Sequence, residues 1–174
     1  RFEVSNPNNG HDALTKDYDM KKLTTIALTA LFTTGAFAAT SGTLLLKGTV
    51  PRLLSITVDA EAVASNLPLD TTQLNTKVAE INERSNSNTG YKVNISSATQ
   101  GKLVHESVGT SFINYTLRYA GQAVDLSAGE EFVYSGAGSN NVTRDVDLSY
   151  TGVDHESLIE GEYSDTVTFT IAAN

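Results

Sequence analysis

An all-β antiparallel sandwich is predicted for most of this chain by three observations: a Thr- and Ser-rich composition, apolar residues alternating with polar ones, and clusters of Gly and Asn between the alternating runs. Thr (22 residues) and Ser (16) exceed a fifth of the 174 residues, and together with Val and Tyr they suit a pleated, half-buried surface. Charged residues make up 18% of the chain, below the roughly 25% usual in soluble domains. The length allows one domain of ordinary size with a tail.

The first element expected along the chain is a leader. The only methionine, Met20, is followed by Lys21-Lys22, an apolar run from Leu23 to Phe37, and the small-residue series Ala36-Phe37-Ala38-Ala39. These are the three parts of a secretory signal peptide. The apolar run is short of the roughly 20 residues that a membrane-spanning helix needs. Residues 20–38 therefore read as a signal peptide and residues 1–19 as translated upstream sequence outside the natural product. Lys16-Asp17-Tyr18-Asp19-Met20 can be encoded with a ribosome-binding AAGGA just ahead of ATG. From Ala39 onward eight Lys+Arg stand against sixteen Asp+Glu, a charge of −8.

Residues 39–50 read as an N-terminal arm and 51–174 as the sandwich body. In Thr43 to Val50, the residues Leu44, Leu46, Gly48 and Val50 share one alternating face. So apolar a strand at an expected mature terminus is unusual, because termini are commonly frayed and polar. Two readings stand: the first strand of the chain's own sandwich, or an arm docking into a groove elsewhere. Pro51 interrupts the ladder, and Leu53 to Val58 starts another strand. Glu61 to Asp70 is the one stretch open to helix, kept short by Pro68. Tyr91, Val93 and Ile95 then share a face, as do Ile113, Tyr115, Leu117 and Tyr119. Val142, Val146, Leu148 and Tyr150 follow, with Arg144 the exception on their apolar side and Ser149 outward. The last run, Tyr163 to Ala172, turns Val167, Phe169 and Ile171 inward. Turns fall at Ser85 to Gly90, Gln100-Gly101, Ala120-Gly121 and Ser135 to Asn141, where Gly and Asn accept positive φ; the last reads as a hairpin loop. Seven or so closely spaced strands with polar outer faces describe a sandwich of immunoglobulin-like type.

The chemistry open to the chain is narrow. It has no cysteine, which excludes disulfides, thiolate metal sites and a cysteine nucleophile. Its acidic balance, with no basic cluster, argues against nucleic acid as a partner. Glu130-Glu131, Asp145/Asp147, Asp154/Glu156 and Glu160/Glu162 read as solvated faces and turns rather than a calcium or catalytic set. His155 and His105 both read as surface histidines. Gly136-Ala137-Gly138-Ser139 lacks the G-x-S-x-G elbow of hydrolases. The expectation is a non-enzyme without cofactor or metal.

The leader, the short alternating arm, Pro51, the cysteine-free β body and the closing Gly161-Glu162-Tyr163-Ser164-Asp165-Thr166-Val167-Thr168-Phe169 together resemble chaperone–usher fimbrial subunits, nearest to the cysteine-free, colonisation-factor type of major pilin. The resemblance implies a sandwich lacking its final strand, completed by the arm of a neighbouring subunit. It makes Leu44, Leu46, Gly48 and Val50 the donor face and Val167, Phe169 and Ile171 the groove-lining last strand, Thr166 to Ala172. Implied partners are identical subunits in a fibre, a periplasmic chaperone, an outer-membrane usher and a host or surface receptor. The implied route is export through the periplasm to a cell-surface fimbria. The competing expectation is a monomeric exported binding module or surface adhesin, a complete sandwich whose loops Asn86 to Gly90 and Ser135 to Asn141 touch a ligand.

Overall fold

Alternation becomes strand where the apolar set can be buried on one side, and the computed structural model, which describes residues 41–174, contains ten strands. The strands are β1 (Leu54–Ala60), β2 (Gln73–Ser85), β3 (Gly90–Ser97), β4 (Lys102–His105), β5 (Phe112–Tyr119), β6 (Gln122–Val124), β7 (Glu130–Ser135), β8 (Asn140–Tyr150), β9 (Tyr163–Ser164) and β10 (Val167–Ala173). Two short 3-10 turns, Ala62–Ser65 and His155–Ser157, are the only helical segments among the described residues. The expected leader and the segment before it lie outside them.

Every strand pair is antiparallel. The larger sheet runs β1-β2-β8-β5-β4-β9, with β6 beside β5, and the smaller runs β10-β3-β7. The chain is thus all-β, two antiparallel sheets sharing one core, as in an immunoglobulin-like sandwich. Ile81, Val146, Leu148, Leu117 and Tyr119 of the larger sheet and Val93, Ile95 and Phe132 of the smaller are buried in that core. The inward sets read from the sequence on β3, β5 and β8 are the buried ones, apart from Val142, which is half-buried. Ala120 and Gly121 both take positive φ (51° and 76°), the conformation of the two-residue turn that joins β5 to β6.

The longest strand, β2, escapes the alternation rule. Its register against β8 shifts between Lys77 and Ala79, a bulge that buries both Val78 and Ala79 and breaks the period of two. Beyond the bulge its inward positions include Glu83 and Ser85, both buried. Arg144, the polar exception on β8, is explained by this: its Nε donates to Glu83 Oε1 at 3.0 Å. Tyr91 on β3 donates to Glu83 Oε2 at 2.6 Å, and the Arg144 guanidinium lies 4.1 Å from the Tyr134 ring centroid on β7. The two sheets are thereby tied through a buried carboxylate.

Four expectations are corrected. Residues 163–172 form two strands: β9 pairs with β4 in the larger sheet and β10 with β3 in the smaller. Ser135 to Asn141 is no hairpin loop, because β7 and β8 belong to different sheets. Glu130 and Glu131 begin β7 instead of lying in a turn. His105 is 5% exposed. Its Nδ1 accepts from the Ser107 and Val108 amides at 3.1 Å each, so Nε2 carries the proton toward the Glu160 carbonyl at 2.9 Å.

Leu148 is fully packed, and Leu148→Ala should lower stability by about 2–5 kcal/mol in urea unfolding as a cavity-forming change. Ser149, outward on the same strand, looks replaceable from sequence, yet its Oγ accepts from the Asn75 amide at 2.8 Å. Ser149→Ala should accordingly cost about 1 kcal/mol.

Candidate functional site

The inward side chains of the edge strands are less buried than those one strand further in. The smaller sheet ends at β10, and the larger begins at β1. Each is hydrogen-bonded along one edge only among the described residues. One strand further in, burial is complete: Val93 and Ile95 on β3 are 0% and 1% exposed, and Ile81 on β2 is 0% exposed. On the edges themselves Val167, Phe169 and Ile171 are half-buried, as are Leu54 and Ile56, while Val58 is 48% exposed. Each of these two edges thus has an apolar inward wall and, among the described residues, main-chain groups unpaired along its rim.

The two rims are neighbours, with Cα atoms of β1 and β10 within 8 Å in places. Two strands flanking a third stand about 9.6 Å apart. An added strand must therefore part the rims locally. Register places Leu54, Ile56 and Val58 opposite Ser85, Glu83 and Ile81, and Val167, Phe169 and Ile171 opposite Ser97, Ile95 and Val93. Each of the two edges thus carries three apolar positions on its inward wall.

The ends of these two edge strands are held by polar contacts. At one end Asn86 holds the start of β1: its Oδ1 accepts from the Leu53 amide at 2.6 Å and its Nδ2 donates to the Pro51 carbonyl at 2.9 Å. Beside it, the Thr89 hydroxyl donates to the Asn174 carbonyl at 2.9 Å. Gly90 is required here, since with φ 94° a Cβ would meet the Tyr134 carbonyl oxygen at 2.2 Å. At the other end Asp165 sits where the chain leaves β9 for β10. Its Oδ2 accepts from the Ser97 and Tyr115 hydroxyls, each at 2.5 Å, and its Oδ1 from the Thr99 amide at 3.1 Å. Burial pushes the Asp165 carboxyl up, but the hydrogen bonds from Ser97, Tyr115 and Thr99 outweigh it and hold the group below the ordinary aspartate range. Burial, followed by the bond to Asp165, raises the Tyr115 phenol. The Tyr91 phenol is pushed up to about 12 by burial and by its bond to Glu83.

No protein-family model matches the sequence, and no curated protein matches it.

Of the residues singled out in the sequence, Val167, Phe169 and Ile171 lie half-buried on the inward face of β10. Leu44, Leu46, Gly48 and Val50 lie in a segment that carries no strand, and each is exposed, the three aliphatics by 82% or more. The opposite wall, Leu54, Ile56 and Val58, was visible as an alternating run but not as part of a site. The loops Asn86 to Gly90 and Ser135 to Asn141 do meet, the Gly138 amide donating to the Ser87 carbonyl at 3.2 Å. His155 is exposed and pairs with Asp70 at 3.2 Å, on the mouth of a cleft of about 460 Å³ walled by Leu67, Leu69, Leu158 and Tyr163. Among the described residues, no three His, Asp or Glu side chains are placed to hold a metal.

The Asp165 corner fixes where β10 begins and can be tested by acid. With its folded value depressed, the carboxylate contributes in full above the ordinary value of about 3.9. That contribution drains away as pH falls from there through the depressed folded value. Asp165→Asn should lower the urea midpoint at pH 7 and show a smaller further loss between pH 4 and 2 than the unchanged chain.

Proposed function

We propose that the chain is a structural subunit of a bacterial surface fimbria assembled by donor-strand exchange, the arm of one subunit filling the groove of the next. The observation that carries this reading is the half-covered core between the unpaired edges of β1 and β10. Such an edge is a template for an added strand, and main-chain pairing plus alternate side chains in pockets is how β-strand addition gains affinity and specificity. The segment Thr43 to Val50 has the complementary pattern: three aliphatics and one glycine at alternate positions. Each buried aliphatic is worth about 1.5–3 kcal/mol. The leader-like segment supports export, and an open groove calls for a periplasmic chaperone and an outer-membrane usher to keep it covered before assembly.

A second reading, an exported monomeric binding module or adhesin, is favoured by the cleft beside His155 and by the meeting of the Asn86–Gly90 and Ser135–Asn141 loops. It differs in one respect that can be measured, whether the arm acts in trans.

Deleting residues 39–50 should abolish polymers and leave a monomer that folds only with a chaperone or a supplied arm peptide. A copy of residues 43–50 fused through a flexible linker after Asn174 should give a soluble, stable monomer, because the groove is then filled at high effective concentration. Leu46→Asp should behave like the deletion, since a carboxylate in an apolar groove expels the strand. A full-length chain that stays monomeric at high concentration by size-exclusion chromatography would favour the binding module instead.

A further inference from the structure

The cleft beside His155 opens where the segment between β1 and β2 faces the segment running from β8 into β9, and none of its lining residues belongs to β1 or β10. Its volume, about 460 Å³, falls in the range of small-molecule sites, roughly 300–1,000 Å³. Leu67 and Leu69 form one wall, and Leu158, Ile159 and Tyr163 the other. Ile159 is 47% exposed, while the other four are half-buried against the core.

Each wall is fastened by contacts of its own. On the first, the Pro68 carbonyl accepts from the Tyr150 hydroxyl at 3.0 Å, and the Leu69 carbonyl accepts from the Val153 amide at 2.9 Å. On the second, the Tyr163 hydroxyl accepts from the Ile159 amide at 3.0 Å, and the Glu160 carbonyl accepts from the buried His105 ring at 2.9 Å. Across the mouth, His155 meets Asp70 at 3.2 Å. A cleft tied in this way needs little reorganisation when a ligand arrives.

The charge around it is of one sign. Residues 61–72 and 151–165 together carry seven carboxylates and neither Lys nor Arg. Two of these acidic residues, Asp70 and Glu160, line the cleft itself. Among the described residues no three His, Asp or Glu side chains converge as metal ligands do, so the positive charge that fits here belongs to an organic molecule. An apolar body would displace water from the leucines. Its charge would meet carboxylates at a partly desolvated place, where an ion pair is stronger than in open solvent. The Tyr163 ring adds a further attraction for a cation.

We propose that this cleft binds a small organic cation, an ammonium group carried on an apolar or aromatic body, with Asp70 and Glu160 holding the charge and Leu67, Leu69 and Leu158 the body. The site is independent of the donor-strand reading, since its residues are not those of the β1 and β10 edges.

The full chain is titrated by calorimetry with 2-phenylethylammonium chloride, with neutral 2-phenylethanol and with 3-phenylpropanoate. The cation should bind one to one with a Kd at or below about 1 mM. The alcohol should bind about tenfold more weakly or worse, and the anion should give no saturable heat. Asp70→Asn, which keeps the shape of the side chain, should weaken the cation by about fivefold and leave the alcohol unchanged. Ile159→Lys places an ammonium in the same cleft from an exposed position and should abolish binding. Thermal midpoints within about 2 °C of the unchanged chain show that both variants keep the fold. Equal affinity for the cation and the alcohol overturns the proposal, and that comparison needs no variant. A one-to-one affinity for the cation that both substitutions leave untouched overturns it as well. So does heat that is absent or does not saturate, because diffuse attraction to a chain of charge −8 then accounts for whatever is seen.

Discussion

Among the described residues, β10 has one hydrogen-bonded neighbour, β3, and its other edge is unpaired. Its inward residues Val167, Phe169 and Ile171 face the same core as Val93 and Ile95 one strand away, yet they are only half-covered. On the opposite side β1 is in the same position, so the deficit is shared by two facing edges. An edge strand ordinarily blunts itself with charge, proline or a bulge. Neither β1 nor β10 carries Lys, Arg or Pro, and the single charge on the two is Asp59. These rims are left able to pair.

Polar ties join the two sheets at both ends. At one end Glu83 on β2 binds Tyr91 on β3, and Arg144 on β8 packs over Tyr134 on β7. At the other, Asp165 joins Tyr115 on β5 to Ser97 on β3. A buried charge pair gives little net stability over an apolar replacement, but removing one partner costs about 3–5 kcal/mol. Such contacts therefore act chiefly as constraints: they fix the spacing of the sheets at both ends of the buried core.

How far the sequence reveals this depends on whether the information is local. On β3 and β5, and over the second half of β8, alternation alone identifies strand and buried face, because neither side chain nor register interrupts the period. On β2 it fails, since the bulge at Lys77 to Ala79 shifts the face and the buried Glu83 reads as a solvent position. Arg144 was a visible anomaly without a visible partner. His105 looked like a surface residue because its partners are backbone groups, the amides of Ser107 and Val108 and the carbonyl of Glu160, which no side-chain pattern announces. The division of the Tyr163 to Ala172 run into strands of different sheets is equally hidden: it follows from contacts of Asp165 with residues 50 and 68 positions away. The inward face of β10 was readable from alternation, and β1 only as a strand; that the two edges lie near each other is a property of strand order.

The closing Gly-x-Tyr-Ser pattern that supported the resemblance has a local physical cause as well. Gly161, at φ 145°, passes so close to the buried His105 ring that a Cβ there would lie 2.3 Å from Nε2. Tyr163 stacks edge-on against the same ring at 5.0 Å, and its hydroxyl shares a hydrogen bond with Ser111 at 2.7 Å. Glycine lets the chain approach, tyrosine seals the approach from the other side, and Ser164 pairs with Val104 as the last residue of the larger sheet. The chain then reaches Asp165 and crosses to the smaller sheet. The motif is therefore the device that delivers β10 to the edge of the smaller sheet, and His105 is the buried post around which that turn is built.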